Sequence, residues 1–290
     1  MGLIRIARLL APLLLAGLTT ATAAEEPRPP CGGPVPCAVK GSATYRIELP
    51  SEGRAAGVYL FFHGYKGSAE AQMRHRDLVN AAHDAGFAFA AVDGAEGTWA
   101  HPNAPSDARD EFAVTAAVLD DLQARFAFGP EAVVVGGFSQ GASMAWYAVC
   151  RLGDRVAGAV TFAGVFWDPL PAAADCPAMP PPLVHFHGTA DRTFPLAGRA
   201  IGSRWHQGDT AESLDVLKAR AHCQADPAPP VTLAGIACVV SAPCGRGPVT
   251  FCRHDGGHEV RPAWLASALP FVTHRSAAAG PRKALALPSP

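Results

Sequence analysis

The chain has 290 residues, 49% of them hydrophobic, and a formal net charge of −1 at neutral pH. The length suits one large domain or two small ones, with enough apolar material for a sizeable core. With no basic excess, neither nucleic acid nor an anionic membrane is an expected partner.

Arg5 and Arg8 precede an apolar run from Leu9 to Leu18, and Ala21-Thr22-Ala23 supplies small residues for cleavage. This is the layout of an export signal over residues 1–23. The apolar run falls well short of the roughly 20 residues that span a bilayer, so no stable membrane anchor is expected. Arg5 and Arg8 are not adjacent, and Cys31 follows Arg28-Pro29-Pro30, so neither a twin-arginine route nor a lipid anchor is indicated. Residues 24–40 are rich in proline and glycine and read as an extended arm. All eight cysteines lie beyond the signal, which fits an oxidising compartment, extracellular or periplasmic. Eight cysteines allow 105 pairings. Proximity suggests Cys31 with Cys37 and Cys150 with Cys176, leaving Cys223, Cys238, Cys244 and Cys252 as a C-terminal group of open connectivity. No close Cys-x-x-Cys pair occurs, so a cysteine zinc site is not expected.

From Tyr45 onward, strand and helix patterns alternate. Residues 57–64 (GVYLFFHG) predict a strand, residues 69–86 a helix ending at Gly86, and residues 87–94 (FAFAAVDG) a further strand. Ser106 or Asp107 is a candidate cap for an amphipathic helix running to about Phe126, and Asp110 and Glu111 suit the positive end of its dipole. AVVVGGFS then reads as a strand, Gly141 to Arg151 as a helix, and residues 156–164 and 182–188 as two more strands. A helix over Thr210 to Ala221, a hairpin of GIACVV with PVTFCRH, and a last helix from about Pro262 to His274 complete the pattern. Short apolar strands alternating with helices predict an α/β fold, a mainly parallel central sheet with helices on both faces. One catalytic-sized domain over residues 41–275 is expected, followed by a disordered tail, 276–290, of biased composition.

The stretch Gly136-Gly137-Phe138-Ser139-Gln140-Gly141 sets a serine between a strand and a helix. A serine hydroxyl needs a base, an acid to orient that base, and donors for the oxyanion. Gly-x-Ser-x-Gly at such a seam is the signature of a nucleophile elbow, and the α/β-hydrolase fold then demands an acid and a histidine in that order. Asp191, in HFHGTADRTFP, and His258, in HDGGHEVRP, satisfy the order. Asp255 is the rival acid, disfavoured for lying three residues from His258 and following no parallel strand. The expected oxyanion donors are the backbone amides of Gln140 and Tyr65, with His63 and Gly64 shaping the second loop.

Trp99 and Trp205 lie in expected loops, where aromatic rings can contact substrate or anchor the loop. His185 and His187 alternate on a strand and are read as packing or loop-shaping residues, with no third ligand to make a metal site. AVVVGGFSQGA lacks the spacing of a dinucleotide-binding turn.

The segments HGYKGSA, GFSQGASMAWYAVC, CPAMPPPLVHFHGTADRTFP and CRHDGGHEV together resemble secreted serine esterases of the polyhydroxybutyrate depolymerase and feruloyl esterase type, relatives of carbohydrate esterase family one. The resemblance covers most of residues 40–275. It implies an α/β-hydrolase fold, no cofactor, an oligomeric or small-molecule ester as substrate, Ser139 as nucleophile, Asp191 as acid and His258 as base. One departure is Val260-Arg261 after Glu259, where that family usually has Trp-Pro. GFSQG is also similar to the acyl-thioesterase and carboxylesterase group.

Overall fold

The computed structural model describes residues 30–39, 43–225 and 227–274. The expected export signal (1–23), most of the arm (24–40) and the tail (276–290) lie outside the described residues.

In chain order the elements are β1 (Cys37–Val39), β2 (Ala43–Glu48), β3 (Gly57–Phe62), α1 (Ala69–Arg74), α2 (Arg76–Asp84) and β4 (Phe87–Val92). The nucleophile-bearing half follows with α3 (Glu111–Phe126), β5 (Val133–Phe138), α4 (Gln140–Leu152) and β6 (Gly158–Phe162). Next come β7 (Trp167–Asp168), β8 (Leu183–Gly188), β9 (Arg199–Ile201), β10 (Trp205–Gln207) and α5 (Thr210–Arg220). The last part is β11 (Pro227–Leu233), β12 (Ile236–Ser241), β13 (Val249–His254) and α6 (Pro262–Val272).

Ten strands form one sheet in the order β1-β2-β4-β3-β5-β6-β8-β13-β12-β11. Neighbours from β4 through β13 are parallel, and the strands outside them pair antiparallel. Side chains alternate between faces along a strand, so a central strand must be apolar throughout. β3 is buried at every position: Val58, Leu60 and Phe62 join the core shared with α3 and α4, while Tyr59 and Phe61 join the one beneath α2 and α6. Strands β7, β10 and β9 form a second, three-stranded sheet rooted in the segment that leaves β6.

Several elements depart from the sequence expectation. The helix expected over 69–86 is two helices, interrupted at His75 (φ −73°, ψ 71°), after which Arg76 is drawn onto Glu48 of β2 by contacts of 2.6 and 2.9 Å. The cap of α3 is Asp110, not Ser106 or Asp107. Its Oδ1 accepts from the amides of Phe112 and Ala113, both at 3.0 Å, while Arg109 is tied back to Asp93 O. The expected hairpin of β12 and β13 gains a third strand, β11. It is an edge strand, where Pro229 and Pro230 cost no ladder bond to a further neighbour. β13 also pairs in parallel with β8, so Asp255 does follow a parallel strand, contrary to the expectation.

The disulfides join Cys31 to Cys37 and Cys150 to Cys176, and the open C-terminal group pairs as Cys223–Cys244 and Cys238–Cys252. Among the described residues no helix is long and apolar enough to cross a membrane.

Candidate active site

Ser139 stands between the last residue of β5 and the first of α4 with φ 59° and ψ −126°. A non-glycine residue in such a region costs about 1–3 kcal/mol and persists only where its surroundings impose it. They do so here. Ser139 N donates to Phe162 O of β6 at 2.9 Å, and Ser139 O accepts from the amides of Ala142 and Ser143. The flanking glycines are required by close approach: a Cβ on Gly141 would fall on Phe62 O, and one on Gly137 on Gly141 O. The Gln140 amide opens α4, among the first-turn donors that have no partner within the helix.

Asp191 lies in the loop after β8 and is 5% exposed. Its Oδ1 accepts from the amides of Thr193 and Phe194, each at 2.8 Å, and its Oδ2 accepts from His258 Nδ1 at 2.7 Å. A carboxylate only accepts, so Nδ1 of His258 carries the proton and its Nε2 holds the lone pair. Burial raises the Asp191 pKa, but hydrogen bonds from His187, His258 and the Phe194 amide outweigh it and hold the carboxyl well below its usual range. The loop bearing His258 is zipped to the acid loop by Thr189 N to His254 O at 2.8 Å and Ala190 N to Gly256 O at 3.0 Å. The His258 ring lies 4.6 Å from that of Phe138, the residue before Ser139. Asp255 is exposed. The structure thus brings Asp191 and His258 together beside the serine's strand and leaves Asp255 at the surface.

The loop after β3 approaches Ser139 from the other side: a Cβ placed on Gly64 would lie 3.6 Å from Ser139 Cβ. His63, fully buried, accepts from Gly94 N at Nε2 (3.0 Å). Its Nδ1 must then carry the hydrogen and donate to Gly64 O at 2.8 Å, and Gly67 N donates to the same oxygen at 3.0 Å. In a trans peptide the carbonyl and the next N–H point oppositely. Holding Gly64 O in this way therefore fixes the direction of the Tyr65 N–H. Burial lowers the pKa of His63 and keeps it neutral for this arrangement. The Tyr65 side chain is 66% exposed.

For Trp99, the structure bears out the anchoring alternative and not the substrate contact. This side chain is fully buried, donates from Nε1 to His63 O at 2.7 Å and meets Phe62 edge-on at 5.1 Å, so it offers no face to a substrate and instead anchors the His63 loop. Trp205 is half-buried on β10 with Arg204 across its ring at 5.5 Å. Thr98 was not singled out in the sequence; its hydroxyl donates to Gln140 Oε1 at 2.8 Å and ties the loop after β4 to one of the two residues expected to supply an oxyanion donor. Nothing in the local pattern of residues 95–101 marks that link, because it is made across 42 positions.

Residues 103–223 match the family model described as Phospholipase/Carboxylesterase. The chain is 34% identical over 151 residues to NocK, a protein of Nocardia uniformis subsp. tsuyamanensis named as an esterase, covering 51% of this chain and 43% of that one. It is 29% identical over 150 residues to feruloyl esterase B of Piromyces equi, covering 50% of this chain and 28% of that one. The chain spans less than half the length of these curated relatives. An acetyl xylan esterase structure from Aspergillus awamori superposes with a TM-score of 0.57 at 14% identity, over 77% of this chain and 93% of that one. The likeness is one of fold, and the fold is the α/β-hydrolase.

Proposed function

We propose that this α/β-hydrolase is an exported serine esterase that cleaves carboxylic esters through an acyl-enzyme. The observation that carries the reading is the 2.7 Å bond from His258 Nδ1 to the buried Asp191, which leaves a lone pair on Nε2 of a ring packed 4.6 Å from that of Phe138, the residue before a strained Ser139. Ser139 Oγ attacks the ester carbonyl carbon as His258 Nε2 takes its proton. The amides of Gln140 and Tyr65 receive the oxyanion, and Asp191 stabilises the imidazolium without itself being protonated. Collapse breaks the ester C–O bond, and His258 returns the proton to the leaving alkoxide. Water, deprotonated by the same nitrogen, then attacks the acyl-enzyme and releases the acid. The groups named here supply every proton transfer, so no metal or cofactor enters the scheme.

The four disulfides support export, since such bridges persist in oxidising compartments. For substrate, the sequence resemblance suggests hydroxyalkanoate oligomers. Plant-derived feruloyl or acetyl esters are the second reading, favoured by the names of the Piromyces relative and the Aspergillus structure.

A fluorophosphonate probe should label wild-type protein and not Ser139→Ala. Ser139→Ala and His258→Ala should each reduce ester turnover by roughly 10³-fold or more with the fold intact. Near-normal hydrolysis by Ser139→Ala would end the esterase mechanism and leave a non-catalytic scaffold as the better account. Hydroxybutyrate oligomers set against methyl ferulate and acetylated xylan decide between the substrate classes.

A further inference from the structure

His185 and His187 have no part in the scheme above, yet both are fully buried beneath the acid loop. They belong to a continuous chain of hydrogen bonds. Trp146 Nε1 lies 3.1 Å from Thr161 Oγ1, Thr161 Oγ1 lies 2.9 Å from His185 Nδ1, and His185 Nε2 lies 3.0 Å from His187 Nδ1. His187 Nε2 then lies 2.7 Å from Phe194 O and 3.5 Å from Asp191 Oδ2.

The two ends of this chain fix its direction. An indole N–H can only donate and a peptide carbonyl can only accept. His187 must therefore carry its hydrogen on Nε2, which leaves Nδ1 to accept. His185 must then donate from Nε2 and accept at Nδ1, so the Thr161 hydroxyl donates to His185 and accepts from Trp146. Each group between the ends donates once and accepts once within the chain. Burial, and after it the neighbouring His187, hold the His185 pKa well below the ordinary histidine value.

The path begins on α4, the helix that Ser139 opens, crosses β6 and β8, and ends on the loop that holds Asp191. At that end Phe194 is gripped from both sides: its N–H donates to Asp191 Oδ1 and its carbonyl accepts from His187. With the opposite tautomer, the Nε2 lone pair of His187 would face the Phe194 carbonyl and the Asp191 carboxylate, three acceptors with no hydrogen among them. We infer that His187 is a positioning residue for the acid of the proposed triad, and that Trp146, Thr161 and His185 set the tautomer in which it works. This rests on the esterase reading for its catalytic consequence but not for its structural one.

The test pairs kinetics with a signature of the His258–Asp191 contact. His187→Phe fills the space without a donor and should lower kcat by about 10²-fold, the scale of an ångström-size misplacement of a reacting group, with KM little changed. In His187→Gln the side-chain amide reaches toward Phe194 O, and most of the loss should be recovered. Thr161→Val is nearly isosteric yet leaves His185 Nδ1 without its donor; it should lower kcat by roughly tenfold, and Thr161→Ser should not. In proton NMR spectra the far-downfield resonance of His258 Nδ1–H should survive in His187→Gln and Thr161→Ser, and broaden or vanish in His187→Phe and Thr161→Val.

Unchanged kcat in folded His187→Phe, or equal losses in the Phe and Gln variants, would overturn the inference. If His187→Phe does not fold, the Thr161 pair decides in the same way. A wild-type protein inert to every ester and to fluorophosphonate would remove the esterase reading, and the downfield proton would then still show whether the chain positions Asp191.

Discussion

At the scale of single residues, the choice of acid turns on one contact. Asp191 meets His258 and Asp255 is exposed, although both follow strands of the same parallel run. In Asp191→Asn, Oδ1 can still accept from the amides of Thr193 and Phe194, which turns the NH2 toward His258 Nδ1. The imidazole must then present a lone pair there and carry its hydrogen on Nε2, where it can no longer accept from serine. Turnover should fall by about 10⁴-fold, the size seen when a triad histidine is forced into the wrong tautomer, while Asp255→Asn should stay within a few-fold of wild type. Assays of both variants at neutral pH check this, and a larger loss in Asp255→Asn would transfer the role. Asp191, His258 and Ser139 could be nominated from sequence alone, because motif and chain order are local or ordinal properties. Trp99 stayed open between substrate contact and loop anchor because its aromatic character is visible in the sequence and its 2.7 Å bond to His63 O is not.

Among the elements, the long central strands were legible because burial on both faces leaves an unbroken apolar run, as in β3, β4 and β8. Several of the strands missed are of another kind. β7, β9 and β10 are two or three residues long, and β9 shows an exposed, unpatterned face, so their pairing is dictated by the surroundings rather than by composition. β11 was hidden by its prolines, which an edge tolerates. The Cys238–Cys252 bridge could not be read from spacing, because it depends on β12 folding back to set those two residues opposite each other. Across a sequence separation of 14, closing that loop contributes about 3 kcal/mol by restricting the unfolded chain. Cys238→Ala/Cys252→Ala should lose that amount in urea unfolding and keep its ester turnover at 25 °C, since the parallel ladder of β13 with β8 is independent of the bridge. An unchanged urea midpoint would show that the unfolded chain gains nothing from release of the bridge.

For the whole molecule, the buried histidines set the response to acid. His101 is stacked on Tyr147 and held by burial at a pKa of about 4, and His63 and His185 are likewise lowered by burial. Once unfolded, each would titrate near ~6.5. Between those values the unfolded chain binds more protons than the folded one, so stability falls as the pH drops from about 6.5 toward 4. His101 alone accounts for about 3 kcal/mol of that loss. Asp191, whose carboxyl is held low, stabilises the fold above the unfolded carboxylate value of ~3.9 and adds a further loss only below it. Urea midpoints measured at pH 7.5, 5.5 and 4.5 should therefore decline steadily. A flat series would mean that these histidines are protonated without unfolding.

Every group that the proposed mechanism uses follows the carboxyl end of a parallel strand: Tyr65 after β3, Ser139 after β5, Asp191 after β8 and His258 after β13. The sheet thus has a working rim and a quiet rim. Turns on the quiet rim, such as the exposed stretch from Ser51 to Arg54 between β2 and β3, serve only to return the chain. Added length there extends a surface loop at little thermodynamic cost. The same length inserted among residues 64–67 would part the Gly64 carbonyl from Gly67 N. For anyone grafting a tag, a surface-binding module or a new terminus onto this protein, the quiet rim is the place to cut.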